Sequence, residues 1–184
     1  INLIRWWLNK NNILMPTKKI IDSLYEQIIK IKKDNSLLIK VSEEINVRAF
    51  QDELWLVKSE RFLSPYEIIW RGEDKILLPD QSQLIFRSEK GAGFSLEKLG
   101  VTALRIQNRL GGEKFNPNLN QPSRTLKYLL QKSKIPPWQR EKIPLIFSED
   151  TLVAVPNFGV HHEFVADEDK IGLTIEWINY ESKI

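Results

Sequence analysis

His161, His162 and Glu163 stand in a row, and they are the one group in this sequence with the residue types that metal binding or acid–base chemistry requires. Neighbouring side chains point to opposite faces of a strand and lie about 100° apart on a helix, so these three do not converge by themselves. A loop at a sheet edge is the simpler expectation for them. No serine stands in a GxSxG context, and the carboxylates are scattered over turns and an acidic tail. Gly91 and Gly93, in "EKGAGFSLEKLG", are followed neither by the Gly, Lys and Ser/Thr of a phosphate loop nor by the rest of a GxGxxG fingerprint. There is no cysteine, which removes disulfides, thiolate nucleophiles and thiolate metal sites and fits a reducing cytoplasm. No catalytic residue, metal ligand or cofactor site is therefore assigned to this chain.

Binding chemistry is better represented. The net charge is only +3, yet residues 105–145 hold nine Lys/Arg against two acids, and residues 146–184 hold eight acids against two lysines. A polyanion samples a local patch, so this asymmetry points to a phosphate-bearing partner, with solvated helix and loop faces as the alternative. Within the basic stretch, "SRTLKYLLQKSKIPP" predicts a helix with Leu126, Leu129 and Leu130 inward and Arg124, Lys127, Gln131 and Lys134 outward, ending before Pro136. Cations at a helix head cost about 0.3–1 kcal/mol against the dipole unless an anion meets them. Free N–H groups, the Ser123 hydroxyl, Arg124 and Lys127 thus describe a receptor for phosphate. Arg105 and Arg109 on a preceding strand, Lys114 in a loop and Arg140 beyond the prolines are expected around it. Trp138 either stacks on a terminal or flipped base or packs down as a lid on the helix.

The elements that must carry these residues read as an α+β chain. Apolar residues make up 42% and charged residues 28%, ordinary for a folded soluble protein, and no stretch approaches the roughly 20 apolar residues of a membrane span. "IRWWLNKNN" predicts a short helix. "TKKIIDSLYEQIIKIKKD" predicts a longer one with Ile20, Ile21, Leu24, Ile28 and Ile31 on one side and lysines on the other. From residue 45 the pattern turns to strands, "INVRAF", "LWLVKS", "YEIIW", "KILLP" and "QLIFRS". The Gly-rich stretch near residue 91 is the best candidate for a boundary or an exposed loop. "VTALRIQNRL" then alternates Leu104, Ile106 and Asn108 against Arg105, Gln107 and Arg109, and Gly111 and Gly112 are turn residues that allow positive φ. "PLIF", "TLVAVP" and "GLTIEW" form a final β region, with Asp167, Glu168 and Asp169 at a turn before its last strand.

The order Arg109, Gly111-Gly112, Arg124, Leu126-Lys127, Pro136-Pro137-Trp138, Arg140, Pro144-Leu145 and then a Leu-Val-Ala-Val strand resembles the C-terminal domain of bacterial tRNA(Ile)-lysidine synthases. "IRWWLNKNNILMP" and "INVRAFQDELWLV" are similar to that family's central substrate-binding domain, and residues 60–100 match least. The resemblance implies a ligase that uses ATP, with Mg, to adenylate the wobble cytidine of the isoleucine tRNA with a CAU anticodon and then joins lysine to it. The codon read thereby changes from AUG to AUA. In the family the chemistry belongs to an N-terminal PP-loop domain opening with SGGxDS, a stretch this sequence does not contain. Beginning at Ile1, the chain reads as a piece of a longer protein, inactive alone, cytoplasmic, with tRNA as partner and a homodimer left open. A different class, a protein-interaction module with a basic docking surface, remains the alternative. The expected divisions are 1–62 as the central substrate-binding part, 63–100 as a β-rich linker region, and 101–184 as the tRNA-binding C-terminal domain. The last of these resembles a fold shared with part of the phenylalanyl-tRNA synthetase β subunit.

Overall fold

The computed structural model describes residues 1–30, 37–59, 64–100, 103–120, 122–179 and 182–183, and the chain divides into two compact units, 1–62 with 180–184 and 63–179. In the first, helix α1 (Asn2–Lys10) buries Ile4, Trp7 and Leu8, the i, i+3, i+4 stripe of an amphipathic helix. Helix α2 (Lys18–Lys30) buries Ile21 and Leu24, with Ile20 and Ile28 half-buried beside them. Ile31 and the lysines that come after it lie outside the described residues. Strands β1 (Leu37–Lys40), β2 (Ile45–Phe50) and β3 (Glu53–Lys58) form an antiparallel sheet in that order. Val47, Ala49 and Leu56 meet the helix stripes in one apolar cluster.

The second unit begins with β4 (Glu67–Trp70), β5 (Lys75–Leu77) and β6 (Gln83–Lys90), then the short helix α3 (Leu96–Leu99) and β7 (Leu104–Gln107). A two-stranded ribbon of β8 (Lys114–Phe115) and β9 (Arg124–Thr125) leads into helices α4 (Leu126–Lys132) and α5 (Pro137–Lys142). Strands β10 (Leu145–Ser148), β11 (Thr151–Val155) and β12 (Gly159–Val160), a 3-10 turn at His162–Phe164 and strand β13 (Ile171–Ile178) complete it. The final strand, β14 (Ser182–Lys183), returns to pair with β3 of the first unit. One sheet runs β12-β11-β10-β7-β4 and another β13-β6-β5, and both feed one core around Phe86, Phe94, Ile106, Leu126, Leu145 and Ile146.

Helices segregated from antiparallel sheets make this an α+β fold, as the sequence pattern implies. Residues 63–100 are not a linker region set apart from residues 101–179. β4 pairs with β7 from Glu67↔Gln107 to Trp70↔Leu104, and β6 pairs with β13 along eight residues. A division at residue 100 would sever both ladders. Nor is the Gly-rich stretch a boundary. Gly93 takes φ +74°, and a Cβ there would run into the Leu173 carbonyl; one at Gly172 would run into the Ala92 carbonyl. The two backbones touch there, and Phe94 exchanges hydrogen bonds with Leu173 at 2.8 and 3.0 Å. The glycines serve close packing of main chain on main chain.

Candidate nucleic-acid interface

Glu113 organises the approach to the basic surface. Positive φ at Gly111 (98°) and Gly112 (83°) folds the chain back, so the Glu113 carboxylate accepts the backbone N–H of Leu110 at 2.8 Å and of Gly111 at 2.5 Å. The same carboxylate takes the Arg109 Nε–H at 3.1 Å, in a pair whose side chains are only 11% and 9% exposed. Burial pushes the Glu113 carboxyl up, but the backbone N–H groups of Gly111, Glu113 and Leu110 and the Arg109 guanidinium outweigh it and hold the group below the ordinary carboxylate range. The main-chain carbonyl of Glu113 accepts from Leu126 N at 2.8 Å, so this residue also fixes the start of α4.

Three arginines expected on the RNA-facing surface are thereby spent on internal contacts. Arg109 also donates to the Arg140 carbonyl at 3.4 Å, and Arg140 Nε donates to the Ile135 carbonyl at 2.5 Å. Burial and the nearby Arg109 charge lower the Arg140 pKa from its ordinary value. Arg105 does lie on the polar side of β7, but it donates to the Glu149 carbonyl at 2.6 Å, lies 3.7 Å from Glu67 and 3.9 Å from Asp150, and covers the Phe147 ring at 5.5 Å. Of the two alternatives for Trp138 the structure has the packed one. Pro137 at the head of α5 starts a helical turn and carries the indole inward, leaving it 5% exposed.

The side chains left facing out are Lys114, Ser123, Arg124, Lys127, Lys132 and Lys134. Among the described residues none of these five cations has a carboxylate partner. Their placement differs from a simple helix head. Helix α4 starts at Leu126 and has seven residues, so Arg124 belongs to the preceding strand and Lys134 comes after the helix at φ 58°. Thr125 caps it, its hydroxyl accepting from Tyr128 N at 3.4 Å. So short a helix supplies little dipole, and the positive potential comes from the side chains.

Lys114 pairs with Thr125 across the ribbon, and the buried Phe115 anchors it beneath. Lys114, Ser123, Arg124, Thr125 and Tyr128 line one pocket of about 360 Å³. Three expected residues are thus brought together, and Tyr128 joins them unforeseen. Its Arg124 neighbour holds the guanidinium carbon 6.0 Å from the ring centre. A tyrosine inside a run of cations was the available signal.

His161 and His162 come together after all, their rings stacked 4.8 Å apart. His161 is extended and His162 opens the 3-10 turn, so neither strand nor helix periodicity separates them. Burial first, then the His162 charge, lowers the His161 pKa, while Glu163 opposes. His161 stands edge-on to Phe115, and His162 N donates to the Asn116 carbonyl at 3.0 Å, so the pair supports the ribbon from below. Among the described residues no three His, Cys, Asp or Glu are placed to hold a metal ion, and no helix is long and apolar enough to cross a membrane.

Asp167 pairs with Lys98 at 2.7 Å, and its carbonyl accepts from Lys170 N in a turn before β13. Carboxylates here repel a phosphate backbone. Replacing Asp167, Glu168 and Asp169 by Asn is expected to leave tRNA affinity unchanged or slightly higher in a filter-binding titration. A large loss by a folded variant would place RNA on this tail.

Two family models match, the TilS substrate binding domain over residues 2–55 and the TilS substrate C-terminal domain over residues 104–177. The chain belongs to the TilS family. It is 29% identical to the tRNA(Ile)-lysidine synthase of Nitrosomonas europaea over 96% of this chain and 39% of that protein. It is 31% identical to the one of Buchnera aphidicola over 96% of this chain and 40% of that protein. A crystal structure of a TilS C-terminal domain is 16% identical, covers 62% of this chain and 99% of its own, and superposes with a TM-score of 0.48. The chain spans about two-fifths of the length of the curated TilS relatives it matches.

Proposed function

We propose that this chain is the tRNA-holding portion of a bacterial, cytoplasmic tRNA(Ile)-lysidine synthase. The whole enzyme would use ATP to join lysine to the wobble cytidine of the CAU-anticodon isoleucine tRNA. The observation that supports this most is the outward set of Lys114, Arg124, Lys127, Lys132 and Lys134, cations without carboxylate partners among the described residues, on rigid elements that Glu113 and Phe115 hold in place. A-form RNA is recognised largely through its backbone and shape, for which a fixed basic ledge suffices.

ATP does not fit the residues present. The Gly91–Gly93 stretch is closed against residues 168–173, and no other glycine-rich turn offers a phosphate cradle. We assign ATP, Mg and the ligation step to a PP-loop domain outside this sequence. Incubated with tRNA, lysine and ATP, the 184-residue chain should bind tRNA with an affinity that falls as salt rises, yet release neither AMP nor pyrophosphate. Release of either would overturn the assignment, and weak binding that ignores RNA type would favour an acidic protein partner instead.

A further inference from the structure

The pocket beside the β8–β9 ribbon has a shape and chemistry that a ledge for duplex phosphates does not need. Its volume of about 360 Å³ is at the low end of the roughly 300–1,000 Å³ typical of small-ligand sites. One wall is the ring of Tyr128, 50% exposed although the residues on either side of its turn, Leu126 and Leu130, are fully buried. Near it lies the Arg124 guanidinium, its carbon 6.0 Å from the ring centre, at the outer limit of about 6 Å for a cation–π contact. A base stacked between two planes requires about 6.8 Å, twice the 3.4 Å rise of stacked nucleotides. Arg124 therefore has to move off the ring to admit one. Lys114 and the hydroxyls of Ser123 and Thr125 supply a cation and hydrogen-bonding groups for the attached phosphate and ribose.

We propose that this pocket holds one unpaired nucleotide of the bound RNA, its base layered between Tyr128 and Arg124 and its phosphate against Lys114. The proposal rests on the tRNA-holding reading above and narrows it, since paired bases inside a helix have no free face to offer. Sequence preference is weak in such a site, because every base has a π-face.

The test compares a blunt RNA hairpin with the same hairpin carrying a single-stranded 3′ tail of about four nucleotides, each titrated against the full 184-residue chain. The tail should raise wild-type affinity about 5- to 10-fold, the lower range for one stacked base. Tyr128→Phe should keep that gain. Tyr128→Ala should abolish it while binding the blunt hairpin as before, and Arg124→Lys should abolish it with an unchanged salt slope, since the charge stays and the plane goes. Equal wild-type affinity for the two RNAs, or a gain that survives Tyr128→Ala, would overturn the proposal. If in that event Arg124→Ala with Lys127→Ala still weakens the blunt hairpin, only the pocket is refuted. If the blunt hairpin ignores that double substitution as well, the tRNA-holding reading falls with it.

Discussion

Glu113→Ala should destabilise the second unit by about 1–3 kcal/mol, the usual cost of leaving shielded donors without their acceptor. Arg109, 11% exposed, would keep its charge with no carboxylate beside it, and the N–H groups of Leu110 and Gly111 would lose their acceptor. The pH dependence has a definite sign. Because the folded-state pKa of Glu113 lies below its ordinary 4.5, its contribution is fully present above about pH 4.5 and drains away as pH falls through the lower folded value. Thermal melts of wild type and variant should therefore differ most near neutrality and converge in acid. A constant gap down to pH 2 would mean that the carboxylate charge is not what stabilises this turn. In the folded fraction, the salt slope of RNA binding should be that of wild type, because Arg109 and Glu113 are engaged with each other and mostly shielded from solvent.

Arg124→Ala combined with Lys127→Ala should do the opposite, weakening tRNA binding with the fold intact. Both side chains are exposed and lie off the Leu126–Leu130 stripe. If each neutralises one phosphate, the slope of log affinity against log salt should shrink by about 1.4–1.8, from 0.7–0.9 per contact. Melting should shift little, since helix α4 is short and Arg124 precedes it. An unchanged slope with a lowered melting temperature would show that these cations serve the fold and not the RNA.

Periodicity made much of this architecture legible in the sequence. The stripe Ile4, Trp7, Leu8 and the alternation of Leu104 and Ile106 against Arg105 and Gln107 are local patterns, and local patterns survive folding. Which partner meets each outward side chain is set by contacts distant in sequence. Arg105 could be read as facing outward, but not as facing Glu67 and the Glu149 carbonyl. Arg109 was closer to legible. Two glycines with positive φ turn the chain back on itself, and an acid placed just after them returns to the arginine four residues earlier. Arg124 falls one element earlier than the sequence pattern places it, because Thr125 caps the helix and a two-residue ribbon carries no periodic signature. The pocket was not legible at all, since it requires Lys114 and Thr125 to be paired first.

The long ladder between β6 and β13 sets the order in which this unit can be made. Its registered pairs join residues such as Arg87 and Thr174, 87 positions apart. At about 5–20 residues per second, β6 leaves the ribosome roughly 4–18 s before its partner strand is complete. During that interval β5 covers one of its edges and the other is open, with Leu84 and Phe86 awaiting a core that closes only when residues 171–178 arrive. Closure of so large a loop also slows refolding of the finished chain. The basic ribbon and α4 lie between the two strands in sequence, so both are synthesised before that ladder can close.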